Sequence, residues 1–415
     1  MTAGRTSPPA PPSLLVARVG AWPGVRTLHS SRFRLVLGIS LWAVGLAVLG
    51  TAMAHQMIQP NGGFGIDFTD YRAASLRLLE GRSPYAPEML EGPIPAQGTD
   101  RYRYPPVFAQ LLTPIASLPS AVGAVAWAAL QVILIFAATW VAGSAAGARP
   151  SLARFVWTGV GVTYFLPVFA TVWTGNIDGL LAASVGALLV LPASRNASRQ
   201  GTEPAVGLLV GSTAIFKLTP IAFVPAILRR GGRLAGGTIV AAVTLVGLSV
   251  VLAPYAWADY MRVLPNLVAG SADYTNNLSP AVVLLRYGAP DALVQLVRLL
   301  VLATALALLA GSVRLAAAPA GWPAAVACAA TASLLVPAAL WYHYLAVLLP
   351  LAAFTWVRGG LVTRALLAAT GGIIVWGLPL TPVASLGAIG LAATVLAALM
   401  PRPWRPMAAE PVAGA

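Results

Sequence analysis

The sequence predicts an all-α, polytopic integral membrane protein with about 10 to 12 transmembrane segments and amphipathic helices outside the membrane. Three observations carry that expectation. Apolar runs of roughly 18 to 23 residues recur along the 415-residue chain, bounded by Arg, Pro or Gly, and about 20 apolar residues in a helix cross the hydrocarbon core of a bilayer. The composition is 58% hydrophobic and only 9% charged, with mean hydropathy +0.79, whereas about a quarter of the residues of a soluble domain are charged. The third observation is where the charge sits. All but one of the 26 basic residues are arginine, the exception being Lys217, and most fall in short clusters between apolar runs, the pattern of cytoplasmic loops. A net charge of +14 distributed this way argues against a nucleic-acid surface. Cys328, the single cysteine, lies in an apolar run and can form no internal disulfide.

Taken in order, residues 1–33 are rich in Pro and Ser and carry Arg5, Arg18, Arg26 and Arg32. They lack the apolar core of a cleavable signal and read as a disordered cytoplasmic tail, as do residues 401–415. Residues 34–400 between them form one transmembrane domain. Its apolar runs place spans at 34–54, 120–143, 155–173, 177–193, 234–253, 292–313, 322–340, 344–357, 361–379 and 383–400. The run 205–228 differs. Arg199 precedes it and Arg229, Arg230 and Arg233 follow it, so both flanks favour the cytoplasm, while Lys217 and Pro220 fall in mid-run. A broken or hairpin-like segment lining a cavity accommodates both facts; a tilted single span is the alternative. With this run returning inside, 17 arginines lie on the inner side and eight on the outer, with ten of the 12 acidic residues outside. Both termini are then cytoplasmic, in a multi-pass plasma-membrane protein, and the segments 55–119 and 254–291 are large outer loops.

The longest polar interval, 65–106, holds six of the 12 acidic residues and five arginines. Within it Thr69–Gly81 reads as a helix along the membrane surface. Thr69 can cap it, Tyr71, Ala74, Leu78 and Leu79 share a face, and Gly81 can end it. Asp67 and Asp70, three residues apart, would share a face of a continuous helix, and one of them can act as a base toward a substrate hydroxyl. Capping is the other reading, and it suits Asp70 better than Asp67, which precedes the helix. Arg101 and Arg103, in RYRYPP, suit pairing with these carboxylates or with an anionic headgroup. Lys217 is costly at membrane depth and therefore a candidate, its ammonium suited to the phosphate of a lipid-linked substrate; a snorkelling lysine is the alternative. Asn176 and Asp178 occupy a short outer turn and read equally as helix caps or substrate contacts. His343, in WYHY, is either an aromatic-belt residue or a ligand for phosphate or sugar hydroxyls. The second outer loop repeats the design, with WADYMR at 257–262 and the polar run Asp273–Ser279, which includes Asn277. Walker A, HExxH, GxSxG and Cys/His metal spacings are absent from the sequence. Nucleotide hydrolysis is not expected, nor a cofactor or metal.

Five stretches, IDFTDYRAASLRLLEGRSPY, RYRYPPVFAQLLTPIASLP, TGNIDGLL, FKLTPIAFVPAILRR and WYHYLAVLLP, together resemble glycosyltransferase family 87. IDFTDYRAASLRLLEGRSPY resembles its first outer loop, matching Asp67 and Tyr71, with Tyr85 after Gly81. RYRYPPVFAQLLTPIASLP is similar to its Tyr-Pro-Pro segment, which brings in Tyr104; TGNIDGLL resembles its Gly-x-x-Asn/Asp turn, FKLTPIAFVPAILRR its Lys-x-x-Pro segment, and WYHYLAVLLP its His-Tyr segment. All five fall in the family's order. The resemblance implies a GT-C-like fold and an enzyme that takes a polyprenyl-phosphate sugar on the outer membrane face, many members being α-1,2-mannosyltransferases of phosphatidylinositol mannosides or lipoglycans. It implies that Asp67 is the general base of an inverting displacement and that Lys217 and His343 bind donor phosphate or sugar. Arg103 and Asn176 are further candidates for that contact, with Asp70, Tyr71, Tyr104 and Asn277 at the margin of the site. The partners implied are a polyprenyl-phosphate sugar donor, a lipid-linked glycan acceptor and membrane lipids, with no nucleic acid. Asp70 departs from the pattern, which usually has an uncharged residue there, so which carboxylate is the base stays open. An arabinofuranosyltransferase of the same class and a transporter or flippase of lipid-linked sugars are the competing readings. The gathering of acidic residues in an outer loop favours an enzyme over a transporter, whose polar groups would sit near the bilayer midplane.

Overall fold

The computed structural model describes residues 31–58, 63–92, 101–191, 201–269, 277–337, 339–377 and 381–400. Every regular element among them is a helix, and the only β-type pairing among them is an isolated antiparallel bridge between Asn277 and Trp341. The expected tails at 1–30 and 401–415, Arg195, Arg199, Asp100 and the polar residues 273–276 lie outside the described residues. The protein is an all-α membrane protein. Among the described residues five helices are long and apolar enough to cross a membrane: Ser31–Ile58, Ser120–Ala145, Gly232–Leu252, Asp291–Ala316 and Thr381–Leu399.

Other expected spans are interrupted or shorter, for identifiable reasons. The run expected as one span at 155–173 is two helices, Leu152–Tyr164 and Leu166–Thr174, bent by 66°. Pro167 lies in the first turn of the second helix, where its ring lacks an N–H and excludes the carbonyl four residues back. The run expected at 344–357 opens as a 3-10 helix, Tyr342–Val347, before Leu348–Arg358 becomes α-helical. Among the described residues the first helix, Ser31–Ile58, takes in residues 31–33 of the expected tail.

The awkward run 205–228 breaks at the residue that makes it awkward. Helix Glu203–Phe216 stops at Lys217, whose backbone is extended (φ −137°, ψ 124°). A 3-10 turn, Thr219–Phe223, and a short helix, Val224–Arg230, follow. The ends of the segment meet, because Arg230 Nη2 lies 3.3 Å from Glu203 Oε1. Lengths agree with a return: fourteen α-helical residues rise about 21 Å, and five 3-10 plus seven α-helical residues also cover about 20 Å. The outgoing limb packs on Gly232–Leu252 through small residues. A Cβ on Gly207 would stand 2.3 Å from the Leu234 carbonyl oxygen, and one on Gly211 2.4 Å from that of Thr238. Such small-residue contact is how helices associate in lipid, where burial of apolar surface gives little drive.

Two cores result. The larger is aliphatic and rich in alanine, running through helices Asp178–Val190, Trp322–Leu335 and Leu348–Arg358. The smaller is aromatic and joins the two loop regions: Phe68, Tyr71, Tyr85, Tyr102, Phe108, Trp127 and Tyr260. Residues of both cores, Tyr71 and Tyr342 among them, also line a cavity that gathers polar side chains.

Candidate active site

Asp67 reaches that cavity because a glycine turn starts its helix earlier than Thr69. Gly65 adopts the left-handed conformation (φ 71°), and its N–H bonds the Trp173 carbonyl at 2.7 Å. Helix Ile66–Leu79 consequently holds Asp67 inside its first turn, where unpaired N–H groups favour a carboxylate. Thr69 is not the cap; its hydroxyl donates to the Gly65 carbonyl at 3.0 Å. Phe68, Asp70, Tyr71, Ala74 and Ser75 are the buried residues of the helix, while Leu79, expected among them, is 59% exposed. Asp67 stays half-buried and accepts a 2.7 Å hydrogen bond from Asn176 Nδ2. Gly175, also left-handed (φ 74°), permits this approach, since a Cβ there would stand 2.9 Å from Phe68 Cβ.

Asn176 links the carboxylate to a buried ionic cluster. Its Oδ1 accepts from Lys217 Nζ at 3.3 Å and from the Ile177 N–H at 2.7 Å. Lys217 Nζ also donates to Asp178 Oδ1 at 2.8 Å and sits 3.7 Å from the centre of the Tyr344 ring. The second oxygen of Asp178 lies 2.5 Å from His343 Nδ1. All three groups are buried, Asp178 completely. Burial of this kind is tolerable only where charges are paired and hydrogen-bonded, as they are here. His343 is fixed by its neighbours, with Trp341 parallel at 6.5 Å and Tyr344 edge-on at 4.8 Å.

Phenols form another part of the same lining. Tyr71 donates from its hydroxyl to that of Tyr104 at 3.0 Å, and the Tyr104 carbonyl accepts from Tyr85 at 2.9 Å. Burial holds the phenols of Tyr71 and Tyr104 above the usual tyrosine range, so both stay neutral. Because Tyr71 supplies the proton of their mutual bond, the hydrogen of Tyr104 is left for another acceptor.

These groups surround one cavity of about 740 Å³. Asp67, Asp70, Tyr71, Arg103, Tyr104, Asn176, Lys217 and His343 all line it, as does Arg101. Asn277 does not. It is fully buried, and its Oδ1 accepts the N–H groups of Ser279 at 2.9 Å and Leu340 at 3.0 Å. Its part is to tie the second outer loop to the stretch leading into Trp341–Tyr344. Asp178 is the opposite case, an interior partner of two candidates that motif reading leaves between capping and substrate contact. It does neither. Gln131 Oε1 takes the Gly179 N–H at 2.8 Å at this helix start, and the Asp178 oxygens go to Lys217 and His343. Its complete burial in an apolar run is the signal that points to it. Among the described residues no group of three or more His, Cys, Asp or Glu is arranged to hold a metal ion.

A helical membrane protein whose carboxylates, cations and phenols converge on one cavity is built to act on polar parts of membrane-borne molecules. The family model of glycosyltransferase family 87 matches residues 102–337, more than half the chain, and the protein belongs to that family. It is a membrane glycosyltransferase, and its substrates are a lipid-linked sugar donor and an acceptor in the membrane. No curated protein matches the sequence. The matched range begins after Asp67 and ends before His343, so geometry rather than the family match brings those two residues to the site.

Proposed function

We propose that the protein transfers a mannosyl residue from a polyprenyl-phosphate donor to a lipid-linked glycan acceptor, on the extracytoplasmic face of the plasma membrane and in a GT-C manner. The carrying observation is that a half-buried carboxylate, Asp67, is joined through Asn176 to the Lys217 ammonium, with His343 lining the same cavity. In this reading Asp67 takes the proton of an acceptor hydroxyl. The freed oxygen attacks the anomeric carbon, the bond from that carbon to the phosphate oxygen breaks, and its electron pair leaves with polyprenyl phosphate. One displacement inverts the anomeric centre. The sugar phosphate is already a good leaving group, so a base, cation contacts and orientation suffice. Lys217, His343 and Arg103 are assigned to the donor phosphate and sugar, while Asp70, Tyr71 and Tyr104 border the acceptor side.

Helix lengths support a site set below the outer surface. Helices Asp178–Val190 and Glu203–Phe216 have 13 and 14 residues, about 20 Å each against a hydrocarbon core of about 30 Å. The site at their ends would therefore meet a prenyl phosphate near the headgroup boundary, with its tail in lipid. The outer side follows from the arginine asymmetry.

The test is transfer from radiolabelled polyprenyl-phosphate-mannose in membranes carrying equal amounts of wild type, Asp67→Asn or Asp70→Asn. Asp67→Asn should lose about 10²- to 10⁴-fold in rate, the usual worth of a general base, and Asp70→Asn far less. Undiminished transfer by Asp67→Asn would remove the base assignment. Absence of transfer by wild type with this donor, across lipid-linked glycan acceptors, would remove the donor class.

A further inference from the structure

We infer that Asp178 is a positioning residue: from outside the cavity it fixes the tautomer and orientation of His343 while holding the Lys217 ammonium in place. The inference rests on the reading of His343 and Lys217 as donor-binding groups. Asp178 is 0% exposed and does not border the cavity that Lys217 and His343 line. Its two oxygens are divided between them, Oδ1 to Lys217 Nζ at 2.8 Å and Oδ2 to His343 Nδ1 at 2.5 Å. The neighbouring N–H groups of Gly179 and Ile177 do not draw on those oxygens, because Gln131 and Asn176 serve them.

The chemistry follows from what each group can donate. A carboxylate facing an ammonium at 2.8 Å is ionised and accepts only. His343 Nδ1 must then carry the hydrogen of the 2.5 Å contact. Nε2 is then the ring nitrogen not engaged by Asp178, on a residue that lines the cavity, and it is an acceptor when the ring is neutral and a donor when it is charged. A free imidazole exchanges its tautomers and rotates. This one is clamped between the parallel Trp341 ring, the edge-on Tyr344 ring and the Asp178 oxygen. The same carboxylate neutralises Lys217, so the lysine presents a directed ammonium without leaving a bare charge in the protein. Loss of Asp178 therefore disturbs both donor contacts at once, although Asp178 touches no substrate.

The chain has three histidines, so nitrogen-15 NMR of the full-length protein in lipid nanodiscs, labelled at histidine, can read the tautomer directly. His343→Gln assigns the signal by its disappearance. The expected result is a protonated Nδ1 at His343 in the substrate-free wild type. A bare Nδ1 with the proton on Nε2 would overturn the inference. This readout needs neither donor nor turnover, so it stands or falls separately from the mannosyl assignment. Asp178→Asn supplies the second arm. Partners that orient a ligating imidazole typically matter 10- to 100-fold, and the donor KM should rise by about that factor with the acceptor KM unchanged. An equal rise in both constants, or in neither, in a folded variant would mean that Asp178 only fills space. Should the variant fail to fold, the wild-type spectrum decides alone.

Discussion

The two walls of the cavity treat charge in opposite ways. On the loop side, Asp67 is half-buried in the first turn of its helix and receives one side-chain hydrogen bond, from Asn176. On the membrane side, Lys217, Asp178 and His343 are buried and bonded to one another. The contrast follows from solvation. A carboxylate with the base role proposed for Asp67 gains from being reachable and only lightly held. Charges sunk among apolar helices must be mutually compensated, because removing one partner leaves a buried ion with nothing opposite it. In the proposed roles, reactivity sits on the half-buried carboxylate and orientation on the buried, mutually paired groups.

The strongest way to break this comparison is to unbalance the membrane wall. Lys217→Met should destabilise the protein by about 3–5 kcal/mol, since it strands the Asp178 carboxylate in the interior. Thermal unfolding in detergent measures it. The double variant Lys217→Met with Asp178→Leu removes both charges and should recover most of that stability while transfer stays lost. A double variant as unstable as the single one would show that the ion pair is not what holds this wall together.

A smaller effect should come from the tie between the walls and the second outer loop. Asn277→Ala leaves the part-buried N–H of Ser279 and the buried N–H of Leu340 without their shared acceptor, which should lower stability by about 1–3 kcal/mol. Because Asn277 does not line the cavity, KM for either substrate should stay within about twofold once folded protein is equalised. A selective change in one KM would return Asn277 to the group of substrate contacts.

What could be read ahead of the structure divides along the same line. Lys217 and Asp67 stand out because each is a charge in a revealing context, one amid an apolar run and the other at the head of the longest polar interval. The break at Lys217 is legible for the same reason. The kink between Tyr164 and Leu166 is hidden in a continuous apolar run, although Pro167 is its cause. The start of helix Ile66–Leu79 depends on Gly65 taking a left-handed turn against Trp173, a contact more than a hundred residues away in the chain. Asp178 is the least legible, because its partners lie 39 and 165 residues distant. A single sequence offers a helix start as the local explanation, and only the folded arrangement of the broken segment and the Tyr342–Val347 turn replaces it.

The phenolic side gives the smallest and most discriminating test. Tyr71 and Tyr104 share one hydrogen bond, but their hydroxyls are not equivalent: Tyr71 donates to Tyr104, and the Tyr104 hydrogen remains for an acceptor in the cavity. Tyr104→Phe removes that donor and also takes away the partner of Tyr71. Tyr71→Phe removes only the internal bond and leaves the Tyr104 hydroxyl in place. A neutral hydrogen bond contributes about 1 kcal/mol, which corresponds to about a fivefold change in a binding constant. The Tyr104→Phe variant should therefore raise the KM of one substrate about fivefold, and Tyr71→Phe should alter thermal stability slightly with KM unchanged. The substrate affected tells which sugar the phenolic wall meets. If both variants change KM alike, the shared bond shapes the wall as a unit and the hydroxyl of Tyr104 makes no separate contact. If neither does, the phenols belong to the aromatic core and the substrate is held by the ionic wall alone.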